Sequence, residues 1–268
     1  MNKIIFVLSF AYLAISCEFT QTDKKPVDVV VEDTLHQFFK NDSTDKNRVQ
    51  LAANFVNKSP KIDGDSSDKA WENQTWYPIN NIWLGKPYSS SDFEGKFKLS
   101  WDQDKLYLLV EILDDSLIDI HEKWDSSWWN DDCVEIFIDE NNGNDLHQFN
   151  HKAFAYHVAL NCKDVVDLGT DQKPHLYNNH IKTAKKTIGK TTVWEFAIDI
   201  YDDTYTDGKK NNPVKLKKDK IMGFCLNYCD NDTSNERENF ISSIPIAGKD
   251  KDLGWKDASV FNDLRLIK

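Results

Sequence analysis

The chain has 268 residues, with 33 Lys and Arg against 44 Asp and Glu, for a formal net charge of -11. An acidic chain lacks the basic footprint that holds phosphate backbones or anionic lipid, which argues against nucleic acid and electrostatic membrane docking and favours a neutral or cationic ligand. Hydrophobic residues make up 40%, enough for a core, and the nine Trp are the excess that asks for an explanation.

Met1-Asn2-Lys3 and the apolar run from Ile4 to Ile15 have the form of a secretory signal peptide over residues 1–16, too short to span a bilayer. The run ends Leu13-Ala14-Ile15-Ser16-Cys17, which resembles a bacterial lipobox. On that reading Cys17 is acylated and the protein is lipid-anchored in a bacterial cell envelope; the plainer alternative is ordinary cleavage beside an incidental Cys. Residues 17–58 are polar and charged and read as a tether, within which Val27 to Val31 is either linker or an added edge strand.

From about Ser59 the pattern has period two. Phe97, Leu99 and Trp101 alternate with Lys96, Lys98 and Ser100; Leu106, Leu108, Val110 and Ile112 share a face, as do Trp194, Phe196, Ile198 and Ile200. Between Cys133 and Asp139 the pattern turns Val134, Ile136 and Ile138 inward and Glu135 and Phe137 to the other side. Short strands separated by Asp, Asn and Gly turns predict a single all-β domain over residues 59–268, an antiparallel β-sandwich. Cys133, Cys162, Cys225 and Cys229 allow three complete pairings; Cys225 and Cys229 lie two side-chain repeats apart on one strand and are poor partners for each other, and buried free thiols are the default reading. A zinc site has no CxxC or paired-His motif to support it.

The densest cluster of functional residue types is Trp124-Asp125-Ser126-Ser127-Trp128-Trp129-Asn130-Asp131-Asp132-Cys133-Val134-Glu135. Adjacent Trp128 and Trp129 cannot both point inward on an extended chain, so at least one is expected at the surface. A flat apolar ring beside carboxylates and amides suits a sugar, whose C–H face stacks while its hydroxyls meet the polar groups; the bland alternative is a plug over the end of the sandwich. Trp255, also in a loop, is the natural second platform.

These elements, taken together, resemble the family 9 carbohydrate-binding modules. The matching residues are Lys61-Ile62-Asp63-Gly64 with Ala70-Trp71, Leu99-Ser100-Trp101-Asp102 with Leu106-Tyr107, Asp114-Asp115, Trp129 through Asn142, and Trp255-Lys256-Asp257 with Phe261 to Leu266. The resemblance implies a sugar, often the reducing end of a glycan, held between Trp129 and Trp255, with Glu135 accepting hydroxyl bonds, Asn227 at an amide position, and Trp128 nearby. Asn150 stands where the family pattern has Arg, whose donor fork Asn cannot reproduce. The resemblance also implies structural Ca²⁺, for which Asp63, Asp65, Asp68, Asp114 and Asp115 are hard oxygen donors near matching positions; solvated turn residues are the alternative. The expected partners are an oligo- or polysaccharide and, beyond it, glycan-degrading enzymes or a transporter. Two other classes remain open at this stage: a glycoside hydrolase using Asp131, Asp132, Glu135 or Asp139, and a haem or electron-transfer sandwich with Met222 as the residual axial candidate.

Overall fold

The computed structural model describes residue 48 and residues 50–268 except 144, 145 and 234. The signal peptide, Cys17 and the Val27 to Val31 segment lie outside the described residues. Among the described residues fourteen strands form one hydrogen-bonded sheet, eleven of them along a continuous path and three joined to its sides, and the sheet folds over on itself. They are β1 (Gln50–Phe55), β2 (Tyr77–Ile79), β3 (Asn81–Leu84), β4 (Phe93–Trp101), β5 (Leu106–Asp114), β6 (Cys133–Asp139) and β7 (Phe154–Ala159). They continue as β8 (Val165–Leu168), β9 (Pro174–Leu176), β10 (Ile181–Ile188), β11 (Thr191–Ile198), β12 (Ile221–Asp230), β13 (Asn239–Ser242) and β14 (Asn262–Ile267). A single helical turn, α1 (Leu253–Lys256), precedes β14.

One layer runs β10-β11-β5-β4 and the other β14-β12-β6-β7-β8-β9, with antiparallel pairing within each. Strand β1 joins them. It pairs in parallel with β14 through Gln50 to Asn54 and with β4 through Asn54 and Phe55, so it turns the corner between the sheets. This corrects the linker boundary at residue 58. Leu51-Ala52-Ala53 is too short an apolar run to stand out beside charged neighbours, yet Leu51 and Ala53 are fully buried in the main core and Arg48 and Gln50 both donate to Asp263.

The expected alternation holds. Phe97, Leu99, Trp101, Leu106, Leu108, Val110, Ile112, Trp194, Phe196, Val134, Ile136 and Ile138 all enter one core between the layers. Ring pairs Phe93–Tyr228 and Phe97–Phe224, with centroids 5.3 and 5.8 Å apart, join β4 to β12 face to face. The outer face of β6 and β12 is covered as well: Phe137, Cys225 and Cys229 pack with Trp83, Phe240, Ile244 and Phe261 in a second apolar cluster. Trp83, which the sequence leaves unassigned, is buried there and donates Nε1 to the Ile244 carbonyl.

A third cluster, around Trp71, Tyr107 and Leu109, covers the outer face of the other layer. Its anchor is Glu195, fully buried, whose Oε2 accepts from the N–H groups of Asp63, Gly64 and Asp65 while Oε1 accepts from Trp71 Nε1. Three successive amides converging on one carboxylate form a backbone nest. Gly64 is required there: its φ is +78° and an added Cβ would lie 2.6 Å from the Lys185 backbone.

Candidate functional site

Strand register places a polar row on the outer face of the second layer. Asn227 lies opposite Glu135, Glu135 opposite His157, His157 opposite Val166, and Ser242 flanks Asn227 on the far side. Glu135, Asn227 and His157 are all buried, an unusual depth for such groups unless they are partnered. Asn227 Oδ1 accepts from Cys225 Sγ at 3.1 Å, while its Nδ2 has no hydrogen-bond partner. Glu135 Oε1 accepts from Cys229 Sγ at 3.6 Å and lies 3.6 Å from His157 Nδ1, which is also without a hydrogen bond. An orphaned buried donor costs about 1–3 kcal/mol. Two in one row are what a site awaiting hydroxyl oxygens looks like.

The short helical turn Trp128–Asn130 leads straight into β6 and packs against β7 and β12, so its tryptophans sit at the rim of this row. Trp129 is 40% exposed, Trp124 is 37% exposed, and Trp128 is half-buried, edge-on to Trp129 with centroids 4.8 Å apart. The expectation that one of the adjacent pair reaches the surface is met. Trp255 is half-buried on α1, packs against the second apolar cluster, and is braced edge-on by Phe149 at 6.1 Å. The Phe149 loop is tied to α1 by His147, whose N–H bonds the Lys256 carbonyl and whose ring bonds the Gly254 carbonyl. A cleft of about 310 Å³ runs beside the row, lined by Trp124, Trp128, Asp131, His157, Asp164 and Val166. A cleft of about 360 Å³ on Ile79, Tyr88, Phe93 and Glu111 contains none of the expected site residues.

Asn150 does not reach out to a ligand. Its Nδ2 donates to the Leu146 carbonyl and its Oδ1 accepts from the Lys152 N–H, so both ends of the amide close its own turn, as Asn readily does in loops. A guanidinium lies beside the row in Arg237, one of three arginines, in the hairpin between β12 and β13. Its Nη1 donates to Cys229 Sγ at 3.1 Å and its Cζ lies 4.3 Å from the Phe240 ring centroid. Burial disfavours its charge, but Cys229 and Glu135 outweigh that and hold it protonated. Nothing local in Asn235-Glu236-Arg237-Glu238 signals this; only the hairpin's fold-back brings Arg237 to Glu135.

The acidic residues separate into two outcomes. Asp63, Asp65 and Asp68 do not gather around a common point: Asp63 pairs with Lys61 and accepts from the Asp65 N–H, Asp65 accepts from the Ser67 N–H, and Asp68 accepts from the Lys61 N–H. These are turn-forming bonds, and among the described residues no cluster of three potential metal ligands includes them. Asp114 and Asp115 do join clusters. Asp114, Asp132 and Asp230 lie buried together where β5, β6 and β12 reach the same end of the sandwich, with one carboxylate oxygen from each within 4.8 Å of the others; Asp115 groups with Asp92 and Asp232. Burial first, and then its carboxylate neighbours, push Asp132 up to about 9 and Asp230 up to about 8, while burial raises Asp114 to about 6 against the pull of Tyr228 and Ser116. Asp230 Oδ2 is buried with no hydrogen-bond partner. Asp92, Asp230 and Asp232 carry no signal in the sequence, and Asp132 reads there only as a hydrolytic candidate, because these groups are distant in sequence and converge only in the fold.

The carboxylates considered for hydrolysis are occupied elsewhere. Asp131 is held by the His121 ring at 2.8 Å and by two N–H groups, and Asp132 accepts from Ile118 and Asn231 N–H groups inside the acidic cluster. Glu135 shares its face of β6 with Asp139 and belongs to the polar row with Asn227 and His157. Met222 is fully buried in the main core.

The family model for carbohydrate family 9 binding domain-like proteins matches residues 62–268. Endo-1,4-beta-xylanase A of Thermotoga maritima is 29% identical over 216 residues, covering 78% of this chain and 17% of the relative. Endo-1,4-beta-xylanase C of Paenibacillus barcinonensis is 24% identical over 262 residues, 95% of this chain and 21% of the relative. The chain thus spans about a fifth of these curated relatives. Among solved structures, a family 9 carbohydrate-binding module from Caldicellulosiruptor kristjanssonii in complex with cellotriose superposes with a TM-score of 0.60 at 22% identity, covering 82% of this chain and 94% of that one. A putative carbohydrate-binding protein from Bacteroides uniformis superposes with a TM-score of 0.56 at 12% identity, covering 82% of this chain and all of that one.

Proposed function

This chain belongs to the carbohydrate family 9 binding domain-like family, whose domain binds carbohydrate without cleaving it, and on that basis we propose that it captures a neutral glycan by stacking on Trp129 and Trp255 and hydrogen bonding along the Asn227–Glu135–His157 row. The observation that carries this reading is the pair of buried polar atoms without hydrogen bonds, Asn227 Nδ2 and His157 Nδ1, in a row rimmed by an exposed tryptophan. Sugar hydroxyls both donate and accept: oxygens would satisfy the two donors, and Glu135 would accept a hydroxyl proton. The neighbour in complex with cellotriose supports a β-linked glucan as the first ligand to try.

The test is titration of the purified chain with neutral oligosaccharides, reading tryptophan emission. Binding is expected to quench or shift the emission, and to weaken by at least about tenfold when Trp129→Ala and Trp255→Ala are combined, given stacking worth ~1 kcal/mol or more per ring. No response across a broad glycan panel, or full affinity in the double variant, would defeat the proposal. Borohydride reduction of the oligosaccharide separates the two binding modes: loss of affinity indicates end recognition, and unchanged affinity indicates recognition within the chain.

The acidic cluster fits Ca²⁺. Three carboxylates around one point, an unpartnered Asp230 oxygen and the raised protonation of all three groups describe a hard-oxygen site short of positive charge. Asp114, Asp132 and Asp230 would hold the ion, with Asp92, Asp115 and Asp232 as a second group of donors. An ion there would join β5 of one layer to β6 and β12 of the other, a structural role.

The segment Leu13-Ala14-Ile15-Ser16-Cys17 supports export and acylation at Cys17, placing the domain on a bacterial envelope membrane, where it would hand glycan to degrading enzymes or a transporter. Labelled palmitate should be incorporated in a bacterial host, and incorporation that survives Cys17→Ala would overturn the anchor.

A further inference from the structure

The floor of the polar row carries a second kind of chemistry. Cys133 and Glu135 project from the same face of β6 two residues apart, and His157 lies directly opposite Glu135 on β7. One ligand atom from each, a sulfur, a carboxylate oxygen and a ring nitrogen, lies within 4.8 Å of the other two, and all three residues are buried. His157 Nδ1 points at Glu135 Oε1 across 3.6 Å and makes no hydrogen bond. Cys229, paired with Cys133 in register, has its sulfur 3.6 Å from the same Glu135 oxygen.

We propose that Cys133, Glu135 and His157 form a binding site for a thiophilic divalent cation, Zn²⁺ foremost. The donor set selects the class of metal: thiolate and imidazole favour zinc and its first-row neighbours, whereas calcium takes oxygen ligands alone. Charge agrees with the choice. A dication with one thiolate, one carboxylate and a neutral imidazole is neutral by itself, and the Arg237 guanidinium beside Cys229 and Glu135 adds one positive charge nearby. Arg237 Nη1 donates to Cys229 Sγ, so the chain supplies three ligands and leaves the fourth position to an outside donor. Zn²⁺ bonds of about 2.0–2.3 Å would draw the three atoms somewhat closer together, a small movement for side chains on adjacent strands. The metal site does not depend on the sugar reading, although Glu135 and His157 belong to both, so an ion held there would take the His157 nitrogen from the sugar.

The test uses the full chain, purified under a phosphine reductant, stripped with EDTA and titrated with Co²⁺ and then Zn²⁺. A thiolate-to-Co²⁺ charge-transfer band saturating at one equivalent and removed by Zn²⁺ is the expected result, since calcium-type carboxylate sites give no such band. Cys133→Ser should abolish the band, His157→Gln should weaken Co²⁺ binding by at least about tenfold, and Cys162→Ser should leave it unchanged. Absence of the band in folded, reduced protein overturns the proposal, as does its survival in Cys133→Ser or its loss in Cys162→Ser. Should Cys133→Ser fail to fold, His157→Gln decides, with circular dichroism reporting its fold: unchanged Co²⁺ affinity in that variant refutes the site. Loss of sugar binding without loss of the band would count against the sugar reading alone.

Discussion

The acidic cluster makes a pH and calcium prediction whose sign can be worked out. In the unfolded chain Asp230 titrates near the ordinary 3.8, whereas in the folded chain it keeps its proton up to about 8 and Asp132 up to about 9. Between those limits the native state binds more protons than the unfolded state, so stability is present at low pH and is lost as pH rises through the folded values. Each such carboxyl withdraws about 1.4 kcal/mol per pH unit, so Asp230 alone accounts for roughly 4 kcal/mol between about pH 5 and about pH 8. That is a large share of the ~5–15 kcal/mol by which a domain is stable. Calcium at about 100 times its Kd returns about 2.7 kcal/mol, and a domain of this size gains roughly 2–4 °C in Tm per kcal/mol, for a shift of roughly 5–10 °C. The assay is thermal unfolding followed by circular dichroism at about pH 5 and about pH 8, in EDTA and in excess CaCl₂, where the linkage predicts a much larger calcium effect at the higher pH. Asp230→Asn should melt above the parent in EDTA at the higher pH and lose its calcium response. Coincident EDTA and calcium curves at about pH 8 would refute both the ion and its location.

Two further outcomes follow from positions that the fold corrected. A chain beginning at residue 59 lacks β1, leaving the edges of β4 and β14 unpaired and the places of Leu51 and Ala53 empty, so it should aggregate or unfold, while a chain beginning at residue 45 retains the native circular dichroism spectrum. Equal stability of the two would remove β1 from the core. The two amides should also separate in sugar titrations: Asn227→Ala is expected to cost about 1–3 kcal/mol of binding, whereas Asn150→Ala should leave affinity within about twofold because its amide serves only its own turn. The reverse order would show that the loop rather than the strand row carries the recognition.

Much of the site was legible because strand periodicity is local. Cys133 to Asp139 places Glu135 on the face opposite Val134 and Ile136 whatever surrounds it, and two adjacent tryptophans before a strand must put one ring outside. Charge was legible too, but not its distribution: the same residue type closes turns at Asp63, Asp65 and Asp68 and crowds a buried point at Asp114, Asp132 and Asp230. The covering of the outer sheet face was not legible, because Trp83 and Phe240 come from the short strands β3 and β13 and Ile246 and Phe261 from connecting segments, all too short to show a period.

By itself the sequence determined the longer strands, their inward and outward faces and the core roles of Trp101 and Trp194, since each follows from the alternation of an extended chain. The tertiary structure alone decided which faces meet. Register across β12, β6 and β7 aligned Asn227, Glu135 and His157, the return of the β12–β13 hairpin brought Arg237 to Cys229, and β1 became the corner of the sandwich. Apart from the Arg237–Cys229 contact within one hairpin, those contacts join residues tens to hundreds of positions apart, and their geometry is set by sheet pairing and packing over the whole domain, which no short stretch of sequence encodes.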